Sequence, residues 1–126
     1  MKVMSISGTR PEIIKQSRIY AKLDEHFDHV MVFTNQNYTP ELSDIFFTDL
    51  GVRKPDYNLK IKTEQFGAEV AEILLQIEKI IIKEKPDMVL ILGDTNSGLA
   101  AIIAAHYGIK IIHLEAGMRA YDFRMP

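Results

Sequence analysis

The sequence predicts an α/β fold, a doubly wound and mainly parallel Rossmann-like sheet, and three observations carry that expectation. Four short apolar runs, Lys2–Ser7, His29–Thr34, Met88–Leu92 and Lys110–Leu114, are too brief for lone helices and suit strands buried on both faces. Between them lies helical spacing, clearest in Phe66, Val70, Ile73, Leu74, Ile77, Ile80 and Ile81 at three- and four-residue steps. Strands also give way to helices through Gly and short polar corners, as in Gly8-Thr9-Arg10-Pro11 and Gly93-Asp94-Thr95-Asn96-Ser97. Strands that alternate with helices from end to end make a parallel sheet.

Taken in order, Lys2–Ser7 is the first strand and Gly8-Thr9-Arg10 turns out of it. Pro11 fits the first helical position, where its missing N–H costs nothing. Glu12 suits the positive end of the helix dipole. This helix is expected to reach Leu23, before the polar break from Asp24 to Asp28. The second strand, His29–Thr34, ends in the polar loop Asn35-Gln36-Asn37-Tyr38. Pro40 to Leu50 reads as a helix closed by Gly51. Arg53–Lys62 contains Pro55 and reads as loop, with a short strand at Tyr57–Ile61. Thr63 is expected to cap the long helix, which Pro86 stops near Lys85. Met88–Leu92 is the central strand. The Ala-, Leu- and Ile-rich stretch from Leu99 to Tyr107 is a helix with Gly108 as its C-cap, and Lys110–Leu114 is the next strand. Ala120–Pro126 is a loop-like tail with no helix to cover that strand, so the chain looks cut.

Composition narrows the function classes. A chain of 126 residues is one domain by default. Its 47% hydrophobic and 25% charged residues are ordinary for a soluble globular protein. Fifteen basic against seventeen acidic side chains argue against nucleic acid as a partner, because no general basic face is available. The absence of cysteine excludes disulfides and thiolate catalysis and fits a cytoplasmic enzyme. No apolar run approaches the ~20 residues of a membrane span, and no signal peptide precedes the first strand. The expectation is a soluble, cytoplasmic protein with no membrane partner.

Three polar corners fall at the carboxyl ends of buried strands: Gly8 to Glu12, Gly93 to Ser97, and His113 to Gly117. In a parallel sheet all three face one crevice, where ligands of open α/β sheets bind. In the first, a helix N-terminus with Arg10 and Lys15 suits a phosphate or diphosphate. The bland alternative is that Arg10 and Lys15 are solvated residues pairing with Glu12. Asp94 is the first candidate for chemistry. It could merely cap the next helix, but Thr95, Asn96 and Ser97 could do so equally well. Glu115 directly follows an apolar strand, an unusual place for an acid unless it faces a crevice. Two carboxylates near one another and near phosphates split their pKa values, which suits general acid/base work at carbon. His113 is read as a satisfied core residue. His26, His29 and His106 show no metal-ligand spacing, no Walker pattern appears, and the missing G-x-G-x-x-G argues against NAD. No metal or cofactor is expected.

Gly8-Thr9-Arg10-Pro11-Glu12-Ile13-Ile14-Lys15, Gly93-Asp94-Thr95-Asn96-Ser97 and His113-Leu114-Glu115-Ala116-Gly117-Met118-Arg119 together closely resemble the non-hydrolysing UDP-N-acetylglucosamine 2-epimerases. Thr34-Asn35-Gln36-Asn37-Tyr38 resembles that family's Thr-Gly-Gln-His/Asn-Tyr loop, and Arg124-Met125-Pro126 the start of its Pro-Glu-Glu/Gln segment. The resemblance implies one half of a glycosyltransferase-B type enzyme with its active site between two Rossmann-like domains. Residues 1–126 would be the N-terminal domain, truncated, with the C-terminal nucleotide-binding domain absent and no turnover by the fragment alone. It implies inversion at C2 of a UDP-HexNAc, by UDP elimination to a 2-acetamidoglucal and re-addition, and a homodimer at full length. By position, Asp94 and Glu115 match the family's catalytic acids, and Arg10 and Lys15 its substrate contacts. Asn35 departs from the family's Gly, and Gln36-Asn37 from the Gln-His pair near which some bacterial members bind an activating second UDP-N-acetylglucosamine. Asn37-Tyr38 with Phe46-Phe47 and Lys54-Pro55-Asp56-Tyr57 is closer to relatives acting on modified UDP-sugars. The rivals are a glycosyltransferase-B sugar transferase and a non-enzymatic nucleotide-binding domain. Paired acids favour epimerisation over the first. The basic first corner, where a receiver needs an acidic Mg²⁺ cluster, disfavours the receiver form of the second.

Overall fold

The computed structural model describes residues 1–35, 47–61 and 65–124. Its sheet is wholly parallel and contains β1 (Lys2–Ser7), β2 (Asp28–Phe33), β3 (Tyr57–Asn58), β4 (Met88–Leu92) and β5 (Lys110–Leu114). The spatial order is β3-β2-β1-β4-β5, which places β1 at the centre with β2 and β4 on either side. Among the described residues the helices are α1 (Arg10–His26), α2 (Phe66–Glu84) and α3 (Ala101–His106), the last entered through a 3-10 turn at Asn96–Ala100, and residues 47–49 form a helical turn that Gly51 closes.

The unbroken apolar strands are explained by two cores. Met4, Ile6, Val30, Val32, Val89 and Ile91 face Ile73, Ile77, Ile80 and Ile81 of α2 and Ala100 and Ala104 beside it. On the other face Met31 and Phe33 meet Ile13 and Tyr20 of α1, with Phe47 edge-on to Phe33. In β1, β2 and β4 every residue after the first is buried whichever way it points, so a period of two does not show.

Helix ends follow their terminal residues. Gly51 and Gly108 adopt φ of 63° and 68°, and the N–H groups around them return to the last turn: Gly51 to Thr48 and Val52 to Phe47, Gly108 to Ala105 and Ile109 to Ala104. Both are Schellman endings. Pro11 is the second helical residue, since α1 opens at Arg10, and α1 runs past Leu23 to His26. The α2 N-cap is Gln65; Thr63, expected to cap it, lies outside the described residues, as do Gln36, Asn37, Tyr38, Pro40 and Phe46. Asn35 holds φ of 52°, the left-handed conformation a Gly would supply. Asn is among the side chains that tolerate it best. No helix among the described residues is long and apolar enough to cross a membrane.

The α1 side of the sheet holds a polar network at its amino-terminal half, buried at Ser5 and His29 and open to solvent at Asp24, Arg53 and Asp56. Asp24 is ionised and accepts only, so His29 Nδ1–H donates to its Oδ1 (2.6 Å) and His29 Nε2 accepts the Ser5 hydroxyl (2.8 Å). Arg53 donates to the same Asp24 oxygen (3.0 Å) and to the His29 carbonyl (2.8 Å), and pairs with Asp56 (2.9 Å), while Tyr20 stacks on the imidazole. Burial pushes the His29 imidazole below its ordinary pKa, against the pull of Asp24. Burial alone would raise the Asp24 carboxyl, but the Arg53 and His29 hydrogen bonds hold it below its ordinary range. Each group then binds a proton more readily in the unfolded chain, so both contributions to stability are lost on acidification. Thermal unfolding temperature is expected to fall from about pH 7.5 to about pH 5, the span of an unfolded histidine. His29→Gln should flatten that slope; an equal slope in the variant would exclude His29 as its source.

Candidate functional site

Strand order reverses at β1, whose neighbours are β2 on one side and β4 on the other. The predicted crevice therefore opens between the carboxyl ends of β1 and β4, with β5 next to β4. All three polar corners lie along that one edge of the sheet.

Asp94 follows Gly93, whose φ of 68° turns the chain off β4. It is exposed and, among the described residues, forms no hydrogen bond or ion pair. Thr95, with extended backbone, occupies the N-cap of the 3-10 turn. Asp94 is thus not needed for capping. Glu115 leaves β5 with φ of 61°, a left-handed conformation that costs a non-glycine residue roughly 1–2 kcal/mol. Such strain persists where the surroundings impose it and is concentrated at functional sites. Asp94 and Glu115 line one cavity of about 310 Å³ together with Gly93, His113, Met118 and Arg119. A wider space of about 780 Å³ has Asp94 on one wall and residues from Met118 to Phe123 on the other.

Lys15 sits one turn into α1, and helical side chains lean toward the N-terminus. Its ammonium lies 2.8 and 3.0 Å from the two carboxylate oxygens of Glu115, joining the first corner to the third. Its partner is Glu115, 100 residues on, and Glu12 is not. The Lys15 side chain is half exposed, so the pair is worth no more than about 1 kcal/mol and leaves the ammonium open to a competing anion. Arg10 is the exposed first residue of α1, at the same helix terminus.

His113 corrects an expectation. Read from the sequence as a core residue, it is exposed on β5, the outermost strand among the described residues, and its Nε2–H donates to the Gly93 carbonyl (2.7 Å). The bond steadies the turn that carries Asp94. Among the described residues no group of three or more His, Asp and Glu could hold a metal ion.

Sequence reasoning missed the role of Glu12. Assigned to the helix dipole, it is 1% exposed and collects donors from two corners. Oε2 accepts the N–H groups of Gly8 (2.6 Å) and Thr9 (2.7 Å) and the Thr9 hydroxyl (3.1 Å). Oε1 stands 2.7 Å from the Thr95 hydroxyl and 2.9 Å from that of Ser97. Half of this was legible, because Thr9-x-x-Glu12 is a capping-box pattern.

The wholly parallel sheet of the described residues, with helices packed on it, is a Rossmann-like fold. The chain belongs to the UDP-N-acetylglucosamine 2-epimerase family, whose sequence model matches residues 21–126. It is 47% identical to a UDP-N-acetylglucosamine 2-epimerase of Methanococcus maripaludis, over 99% of this chain and 34% of that protein. It is 42% identical to the UDP-2,3-diacetamido-2,3-dideoxy-D-glucuronate 2-epimerase of Pseudomonas aeruginosa, over 100% of this chain and 36% of that protein. The crystal structure of the Methanocaldococcus jannaschii UDP-GlcNAc 2-epimerase in complex with UDP-GlcNAc and UDP superposes with a TM-score of 0.92 at 42% identity, covering 100% of this chain and 35% of that one. The chain spans about a third of the length of the relatives it matches.

Proposed function

We propose that this chain is the N-terminal domain of a UDP-HexNAc 2-epimerase, and that its C-terminal edge forms one wall of the active-site cleft. The observation that carries the reading is the convergence of Asp94 and Glu115 on one cavity, with Lys15 bonded to Glu115, in the fold of a relative that binds UDP-GlcNAc. Arg10, Lys15 and the α1 N-terminus would hold the diphosphate. One carboxylate takes the C2 proton as the C1–O bond breaks, and the electron pair leaves with UDP to give the 2-acetamidoglucal. Re-addition of UDP after a proton is delivered to the opposite face of C2 yields the manno sugar, UDP-N-acetylmannosamine for the parent substrate. Asp94 and Glu115 supply the acid/base pair. The proposal includes a C-terminal nucleotide-binding domain that closes the cleft, a homodimer and a cytoplasmic location. Lys54-Pro55-Asp56-Tyr57, which resembles relatives acting on modified UDP-sugars, and the similarity to the P. aeruginosa enzyme favour a modified UDP-HexNAc as the alternative substrate.

The test incubates the complete polypeptide that carries this domain with UDP-N-acetylglucosamine in D₂O and follows the C2 proton by NMR. Loss of that signal with a manno product is expected, and residues 1–126 alone should show neither. Exchange only with a 2,3-diacetamido substrate would select the alternative substrate. UDP release that requires an acceptor would replace epimerisation with transfer.

A further inference from the structure

We propose that Glu12 is a positioning residue, a buried carboxylate bridge that fixes the Asp94 corner against the Arg10 corner; the proposal rests on the 2-epimerase reading. A capping box needs only the Oε2 side, which serves the Gly8 and Thr9 N–H groups immediately before Arg10. The second oxygen has no capping task. It reaches across the crevice floor to hydroxyls 83 and 85 residues away, Thr95 immediately after Asp94 and Ser97 in the 3-10 turn. Those hydroxyls are also 2.6 Å from one another, so two hydroxyl protons serve three contacts and the cluster can reorganise its donors.

A carboxylate this buried is tolerated only because donors surround it. The residues it ties flank the cation on one side and the acid on the other, while Glu12 itself is closed to ligand. Misplacing reacting groups by about 1 Å can cost about 10²-fold in rate, so a bridge between the two corners acts on the chemical step.

The hydrogen-bond inventory distinguishes bridging from charge. In Glu12→Gln the carbonyl can take the Gly8 and Thr9 N–H groups, and the amide can donate to Thr95 and Ser97, whose hydroxyls rotate to accept. Glu12→Ala breaks both sides. The double variant Thr95→Val with Ser97→Ala breaks only the β4 side and leaves the capping box intact.

In the complete polypeptide, C2 exchange kinetics should show kcat lowered roughly 10- to 10²-fold in Glu12→Ala and in the double variant. KM should be nearly unchanged in the double variant, and Glu12→Gln should rescue kcat. Adding Thr95→Val and Ser97→Ala to Glu12→Ala should cost nothing more, as for one shared contact. Wild-type kcat in the double variant, or additive losses, would overturn the proposal and leave Glu12 a helix cap. A Glu12→Gln variant as impaired as Glu12→Ala would overturn it in favour of a charge effect. Amide exchange gives a readout independent of activity: the Gly98 N–H, bonded to Thr95 (2.9 Å), should lose protection in the double variant while α2 keeps its own. Unchanged protection there would overturn the bridge even if the wild-type protein proved not to be an epimerase.

Discussion

Asp94→Asn and Glu115→Gln, each made in the complete polypeptide, are expected to lower C2 proton exchange by roughly 10²–10⁴-fold, the usual worth of a positioned acid or base. Inversion requires one group to remove the C2 proton and another to deliver a proton to the opposite face, so either amide slows the epimerisation that carries deuterium into the product. Folding should be nearly untouched. Asp94 is exposed and has no partner among the described residues, so an isosteric amide orphans nothing. Glu115 loses one half-exposed pairing with Lys15. The measurement is the C2 proton signal in D₂O beside thermal unfolding of each variant. A variant that unfolds as the wild type does and exchanges at a wild-type rate would remove that residue from the acid/base pair. A deficit restored by higher UDP-sugar concentration would make it a binding residue.

The strands were legible because their chemistry is local. A strand buried on both faces is mostly apolar, and Met88–Leu92 shows this in five consecutive letters. The convergence of the corners followed from topology, since parallel strands put all their carboxyl ends on one edge. The partnerships across that edge were not legible. Lys15 finds Glu115 and Glu12 finds Thr95 and Ser97 over separations of 83 to 100 residues, and no local pattern records such a pairing. The buried face of α1 hid for a related reason. It consists of Glu12, Ile13, Gln16 and Tyr20, a helical stripe in which half the members are polar, so hydrophobic periodicity understates it. His113 was misplaced because its strand reads like a central one, whereas β5 is the exposed edge among the described residues and an apolar run does not distinguish the two.

The largest stability effect is expected at Ile77→Ala. Ile77 is fully buried in the core between α2 and the sheet, at the middle of the stripe Ile73, Ile77, Ile80 and Ile81. Its truncation leaves a cavity that the surrounding β-branched side chains fill poorly, at a cost of about 2–5 kcal/mol. A domain of this size has roughly 5–15 kcal/mol in total, so the loss is a large share of its stability. With a urea m-value of about 2 kcal/mol/M, the midpoint should fall by roughly 1–2.5 M. The control lies two residues away. Leu75 is on the opposite face of the same helix and 53% exposed, so Leu75→Ala should stay within about 0.5 kcal/mol of wild type. Both substitutions replace a large aliphatic side chain by alanine in the same helix, so propensity differs little between them and burial decides the outcome. Equal midpoint shifts in the two variants would mean that the solvent face of α2 is covered in solution. A small shift in both would mean that α2 does not pack on the sheet through Ile77.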